Sequence, residues 1–173
     1  YAPDLKEKYP GNAAEIELIR AQALYIRALV HLNLCCCYGQ HYTYTPDASH
    51  WGVPNLSILP SANDPVLRAS VYDVYNKRII PDLEEAIGIF GSTTMDCYHA
   101  SATACEALLA RVYLYMEQWQ KASDYATTVI AKVPLTSYEN YVNMYVNIET
   151  GSEAIFRLNG FRASKDLWKF YDP

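Results

Sequence analysis

At 173 residues, 51% of them apolar, the chain has the length of one domain and enough material for a core, so it is not a disordered segment. A formal charge of -5, with 14 Lys and Arg scattered among 19 acids and no basic cluster, argues against nucleic acid or an anionic membrane surface as partner. The longest nearly unbroken apolar run, Ala28 to Tyr38, carries His31 and Asn33 and falls short of the roughly twenty residues that cross a bilayer.

The first long element runs from Glu15 to Gly39. Apolar residues recur at Ile16, Ile19, Ala23, Ile26, Val30 and Leu34, and again at Leu18, Ala21, Tyr25, Leu29, Leu32 and Cys36. Both rows step by three or four, which predicts an α-helix packed on more than one side. Asn12 with Glu15 offers a capping box, and Gly39 a left-handed C-terminal cap. Consecutive helical positions point about a hundred degrees apart, so Cys35, Cys36 and Cys37 cannot converge on one metal ion. With Cys97 and Cys105 the total is five, an odd count that fits no simple disulfide framework, and the thiols read as small buried hydrophobes. No metal or cofactor is expected.

Residues 40–69 hold four prolines and no sustained period. Loops of this length inside a compact domain usually carry function. This one has His41, Tyr42, Tyr44, His50 and Trp51 with little charge, a composition that folds against helices and presents a surface.

Ser70 then caps a second helix, with Asp73 at the third position and a stripe of Tyr72, Tyr75, Ile79, Leu83, Ala86 and Phe90. Pro81 removes one intrahelical donor, predicting a kink near Lys77 to Pro81, and Gly91 ends the helix. A third helix starts at Ser101 or Thr103, the latter forming a capping box with Glu106, and runs to Met116. After Glu117-Gln118 a fourth carries Trp119, Ala122, Ala126, Val129 and Ile130 and stops before Pro134. So short a connection makes these two antiparallel neighbours. Leu109, Ala110, Tyr113, Ala122 and Pro134 fall at the spacing of one tetratricopeptide repeat. Tyr113, Tyr115, Trp119 and Tyr125 lie at helical spacing and read as packing. Arg27 and Arg111 read as buried ion-pair members, with Asp82 or Glu106 as partners. Tyr138 to Tyr145 reads as a short helix, and Glu153 to Leu158 alternates as a short strand or extended edge would.

In order, Arg27-Ala28 through Tyr38-Gly39, Gly52-Val53-Pro54, Arg68, Val71, Val74-Tyr75, Asp82-Leu83-Glu84-Glu85-Ala86, ALLARVYLYMEQWQKA from Ala107 to Ala122, and Ser152-Glu153-Ala154-Ile155-Phe156 resemble the SusD/RagB family. These are the glycan-binding outer-membrane lipoproteins of Bacteroidetes nutrient-uptake systems. The resemblance spans about Ala13 to Leu158. It implies an all-α, tetratricopeptide-like single domain over 1–173, and non-catalytic capture of an oligosaccharide for a SusC-like TonB-dependent transporter. It also implies attachment to the cell outer membrane through a lipid anchor that this chain lacks. Family members run to several hundred residues, so the chain is expected to be a fragment lacking their lipidated start and their second half.

Sugar recognition needs flat aromatic faces and neutral hydrogen-bonding groups. The candidate ligand residues are therefore Tyr42, Tyr44 and Trp51 for stacking, with His50 and Asn55 for hydroxyls. Two readings compete. A helical-repeat adaptor for proteins would bind in a groove between helices and leave Trp51 dispensable. A glycosidase would need two carboxylates about five to ten ångströms apart, and Asp47 and Asp64 are the only acids beside the aromatics.

Overall fold

A computed structural model describes residues 2–56, 60–61, 63–142 and 153–158. Among these residues the fold is all-α. Helix α1 spans Ala2–Lys8, α2 Ala13–Tyr38, α3 Val71–Val74, α4 Ile80–Phe90, α5 Ala102–Tyr115 and α6 Trp119–Lys132. In place of strands there is one isolated antiparallel bridge, Trp51 to Ser70. The segment 153–158 is not extended edge. It contributes Ile155 and Phe156 to the core, with Phe156 edge-on to Tyr25 at 4.9 Å, and makes one backbone bond, Arg157 N–H to Cys97 O at 2.6 Å. Among the described residues no strand lies beside it to pair with. Tyr138–Asn140 forms a 3-10 turn that continues helically through 141–142, and the remainder of the helix expected to Tyr145 lies outside the described residues.

Helices pack in the order α2, α4, α5, α6, each against the next. The α2/α4 pair is antiparallel, since Arg20 pairs with Glu85 while Arg27, farther along α2, pairs with the earlier Asp82. In α5/α6, Glu106 meets Lys132 at 2.6 Å and the rings of Tyr113 and Tyr125 stack at 5.6 Å. This is the expected antiparallel hairpin, with Ala122 8% exposed at its close approach.

Of the two apolar rows on α2, the second turns towards the core, except that its Cys36 is exposed and that Leu24, Ala28 and Cys35, in neither row, are buried beside it. Ala21, Leu24, Tyr25, Ala28, Leu32 and Cys35 enter the core, whereas Ile19, Ile26, Val30 and Leu34 are exposed. The expectation of packing on more than one side is thus met by one face alone, because α4 and the core lie against one side of the helix. Its caps also differ from expectation. Asn12 bonds the Glu15 side chain at 3.3 Å and caps no backbone N–H, and Gly39 is extended at φ -106°. What Gly39 supplies is room, since a Cβ there would sit 2.9 Å from Cys35 O.

Ser70 Oγ accepts from Asp73 N at 3.1 Å as expected. The interruption expected from Pro81 takes the form of a π-turn, Tyr75–Ile79, between α3 and α4, in which Ile80 N–H donates to Tyr75 O. A proline ring crowds the carbonyl four residues earlier, and a wider turn relieves that contact. Helix α5 is capped by Ser101, whose Oγ accepts from Ala104 N at 3.1 Å, so Thr103 and Glu106 form no box.

Arg27 holds Asp82, which is 4% exposed, by two bonds of 2.6 and 2.7 Å. That hydrogen-bonded carboxylate raises the Arg27 pKa against the opposing effect of burial. Arg111 is exposed and Glu106 belongs to Lys132, so Arg111 is not the buried ion-pair member expected. Tyr115 and Trp119 are exposed as well, 43% and 61%, while Tyr113 and Tyr125 do pack. All five cysteines are free. Cys35 and Cys105 are buried, but Cys36 and Cys37 are exposed, contrary to the reading of all five as buried hydrophobes.

Candidate ligand ledge

Residues 40–56 and 66–70 form a ledge over the junction of α2 and α3. Its backbone supplies what α3 lacks at its N-terminus: Val71 N–H donates to His50 O and Tyr72 N–H to Ala48 O, both at 2.9 Å. Unpaired first-turn N–H groups are thus satisfied by the loop itself. Gly52 donates to Ala69 O at 2.8 Å, and a Cβ there would lie 3.1 Å from Val71 N, so only glycine lets the two backbones meet without displacement. Arg68 closes the arrangement. Its Nε donates to Gly52 O at 2.6 Å, and one terminal nitrogen donates to Tyr38 O at 2.8 Å and Trp51 O at 3.3 Å. Three carbonyls from the helix end and the ledge therefore converge on one planar cation.

Trp51 is held in this backbone yet 68% exposed, an indole presented to solvent and not a plug for the loop. Tyr44, 57% exposed, lies edge-on between His41 at 5.8 Å and His50 at 5.3 Å. The His50 Nδ1 is 2.8 Å from Thr45 Oγ1. Tyr42 faces inward, its ring 5.1 Å from that of Tyr75 and its hydroxyl accepting from Asn76 Nδ2 at 3.0 Å. Asn55 is engaged through Oδ1, which accepts from Arg78 Nε at 2.7 Å. The five candidates therefore fall into two groups. Tyr44, His50 and Trp51 share the exposed ledge, whereas Tyr42 and Asn55 fasten it to the π-turn.

The loop acids serve turns. Asp47 accepts from Ser49 N at 3.1 Å and Asp64 from Ser61 N at 2.7 Å. Hydrogen bonds from Ser49 hold the Asp47 carboxyl below its ordinary pKa, the reverse of what a general acid needs. Among the described residues no three His, Cys, Asp or Glu side chains are placed to hold a metal ion. None of the described helices is long and apolar enough to cross a membrane.

Arg68 was legible in the sequence only as a landmark, because a surface-loop arginine gives no sign of the carbonyls it will meet. Tyr75 and Tyr115 were hidden by helical spacing that reads as packing. Both line a cavity beside the ledge.

Residues 4–114 match the SusD-like family described as "Starch-binding associating with outer membrane". The chain belongs to the SusD-like family. A SusD superfamily protein from Bacteroides thetaiotaomicron VPI-5482 is 32% identical, superimposes with a TM-score of 0.69, and matches over 77% of this chain and 29% of its own. Another, from Bacteroides vulgatus ATCC 8482, is 29% identical with a TM-score of 0.75, over 85% and 34% respectively. A laminarin-binding SusD-like protein is 27% identical with a TM-score of 0.61, over 83% and 31%. The SusD-like chain described here thus spans about a third of the length of these solved relatives. No curated protein matches it.

Proposed function

We propose that the protein captures a neutral oligosaccharide at the cell surface, without catalysis, and passes it to a SusC-like TonB-dependent transporter in the outer membrane. The observation that carries this reading is Trp51, an indole left 68% exposed on a backbone pinned by the Ser70 bridge and the Arg68 clamp. An indole face held on a fixed support can stack on a sugar ring without first being ordered, which is what sets Trp51 apart from other exposed aromatics. Tyr44, edge-on to His50 on the same loop, adds a second exposed ring to the ledge, which suits the apolar faces of a sugar chain.

Family membership and the laminarin-binding relative support the ligand class, and the description of the family supports attachment at the outer membrane. Affinity electrophoresis through gels containing laminarin, starch or another neutral polysaccharide tests the capture step. Wild type should be retarded by at least one of them and Trp51→Ala should migrate freely. Equal retardation of both would move the site away from the ledge. Co-purification of the full-length protein with a TonB-dependent transporter tests the hand-over, and a monomeric product under mild detergent would contradict it.

A further inference from the structure

A cavity of about 260 Å³ opens where the last turn of α2, the start of the ledge, the π-turn and the end of α5 meet, lined by Cys36, Gln40, His41, Tyr42, Tyr75 and Tyr115 among others. Tyr75 is 4% exposed and its hydroxyl makes no hydrogen bond with the described residues. Yet no fully buried side-chain nitrogen or oxygen among those residues lacks a partner. The hydroxyl therefore reaches the space of the cavity. Burial, with the neighbouring thiols of Cys36 and Cys35 and the phenols of Tyr115 and Tyr42, raises the Tyr75 pKa and keeps it a protonated donor. Tyr42, whose hydroxyl already accepts from Asn76, has its own proton left to give. The lining bears no carboxylate, lysine or arginine. Three phenol rings line it, with the polar groups of Gln40 and His41 between them.

The cavity is small and partly open to solvent. Its volume lies below the roughly 300 Å³ at which pockets for drug-sized ligands begin. That is space for one six-membered ring with its hydroxyls and not for a chain. Its rim is continuous with the ledge, because His41 lines the cavity and lies edge-on to Tyr44, which lies edge-on to His50. Tyr75 opens the π-turn, a local widening that often accompanies functional sites.

We propose that this cavity seats a single neutral pyranose residue, the end or a one-residue branch of a glycan whose neighbouring units lie along the Trp51 ledge. This rests on the glycan-capture reading and adds to it the part of the ligand that is recognised by enclosure. Calorimetric titration of laminariheptaose and maltoheptaose into wild type, Cys36→Phe, Tyr75→Phe and Trp51→Ala tests it. Cys36 is on an exposed helix position, so its replacement fills the cavity without entering the core. The expected result is a loss of about tenfold or more in affinity for Cys36→Phe, and about three- to tenfold for Tyr75→Phe, with unchanged thermal melting. Wild-type affinity in both of these variants, with binding lost in Trp51→Ala, would overturn the cavity while leaving the ledge. Should Tyr75→Phe melt early, Cys36→Phe alone decides. Failure of wild type to bind either heptaose, or any other neutral glycan, would overturn the capture reading and this proposal together.

Discussion

Asp82 is the one acid buried among the described residues, and its burial is tolerable because Arg27 meets it with two short bonds. Removing Arg27 takes away both close hydrogen bonds and leaves Asp82 only the longer contact with Arg78 at 4.0 Å, so the loss falls at the lower end of what breaking a buried pair costs. Arg27→Met should therefore lower stability by about 2–3 kcal/mol in urea unfolding, and adding Asp82→Leu to it should restore part of the loss. Burial acts on the thiols in another way. It pushes Cys35 from 9.0 up to about 11 and Cys105 up to about 12. The unfolded chain then gives up these protons above pH 9 while the folded chain keeps them, so stability is full below pH 9 and falls as pH rises from 9 towards 11. Melting temperature measured between pH 8 and 11 should fall progressively, and Cys35→Ala with Cys105→Ala should flatten the decline. Neither residue belonged to an apolar row read from the sequence, where Cys36, which is exposed, took the place of its buried neighbour Cys35; both were read only as small buried hydrophobes. The exposure of Arg111 was not legible, because α5 is apolar on so much of its circumference that its wet side could not be chosen without its neighbours.

Helix starts separate two equally good sequence signals. Thr103 with Glu106 has the form of a capping box, but Ser101 is the residue whose hydroxyl meets a free N–H, at Ala104. Ser101→Ala should cost about 1 kcal/mol and Thr103→Ala much less, a difference that thermal denaturation of the two variants resolves. At the ledge, the aromatics and low charge of 40–69 announced a surface, but not the clamp that shapes it. Arg68→Ala would free the carbonyls of Tyr38, Trp51 and Gly52 at once. It should weaken glycan binding about tenfold with Trp51 still in place, whereas a clamp irrelevant to binding would leave the titration unchanged. The π-turn is legible only in part. Pro81 marks the interruption, and the packing of Tyr75 against Tyr42 favours a widened turn over a sharp bend.

Across the whole molecule, periodicity was sufficient for α2, α4, α5 and α6 and for the antiparallel hairpin, since those follow from apolar spacing and short connections. It was not sufficient to say which of the two rows on α2 is covered. Both rows are apolar, and only contact with α4 and the core distinguishes Ala21, Tyr25 and Leu32 from Ile19, Ile26 and Val30. Ala21 and Ala28 let the helices approach on the buried face, but the exposed row also has Ala23, so residue size alone does not separate the two. The residues at 153–158 alternate like a strand, yet they serve the bundle as an apolar strap whose Phe156 meets Tyr25. Within this frame the ledge is the feature that core packing does not explain. It holds a tryptophan outward at the junction of α2 and α3, on a backbone that the helices themselves complete.

Calorimetric titration of a neutral glycan panel into wild type beside Trp51→Ala bears most directly on that feature. The account predicts that wild type binds at least one glycan and that Trp51→Ala, with the same melting temperature, binds it about tenfold or more weakly, the equivalent of about 1–3 kcal/mol for a stacked ring. Equal affinity in the two proteins would contradict it.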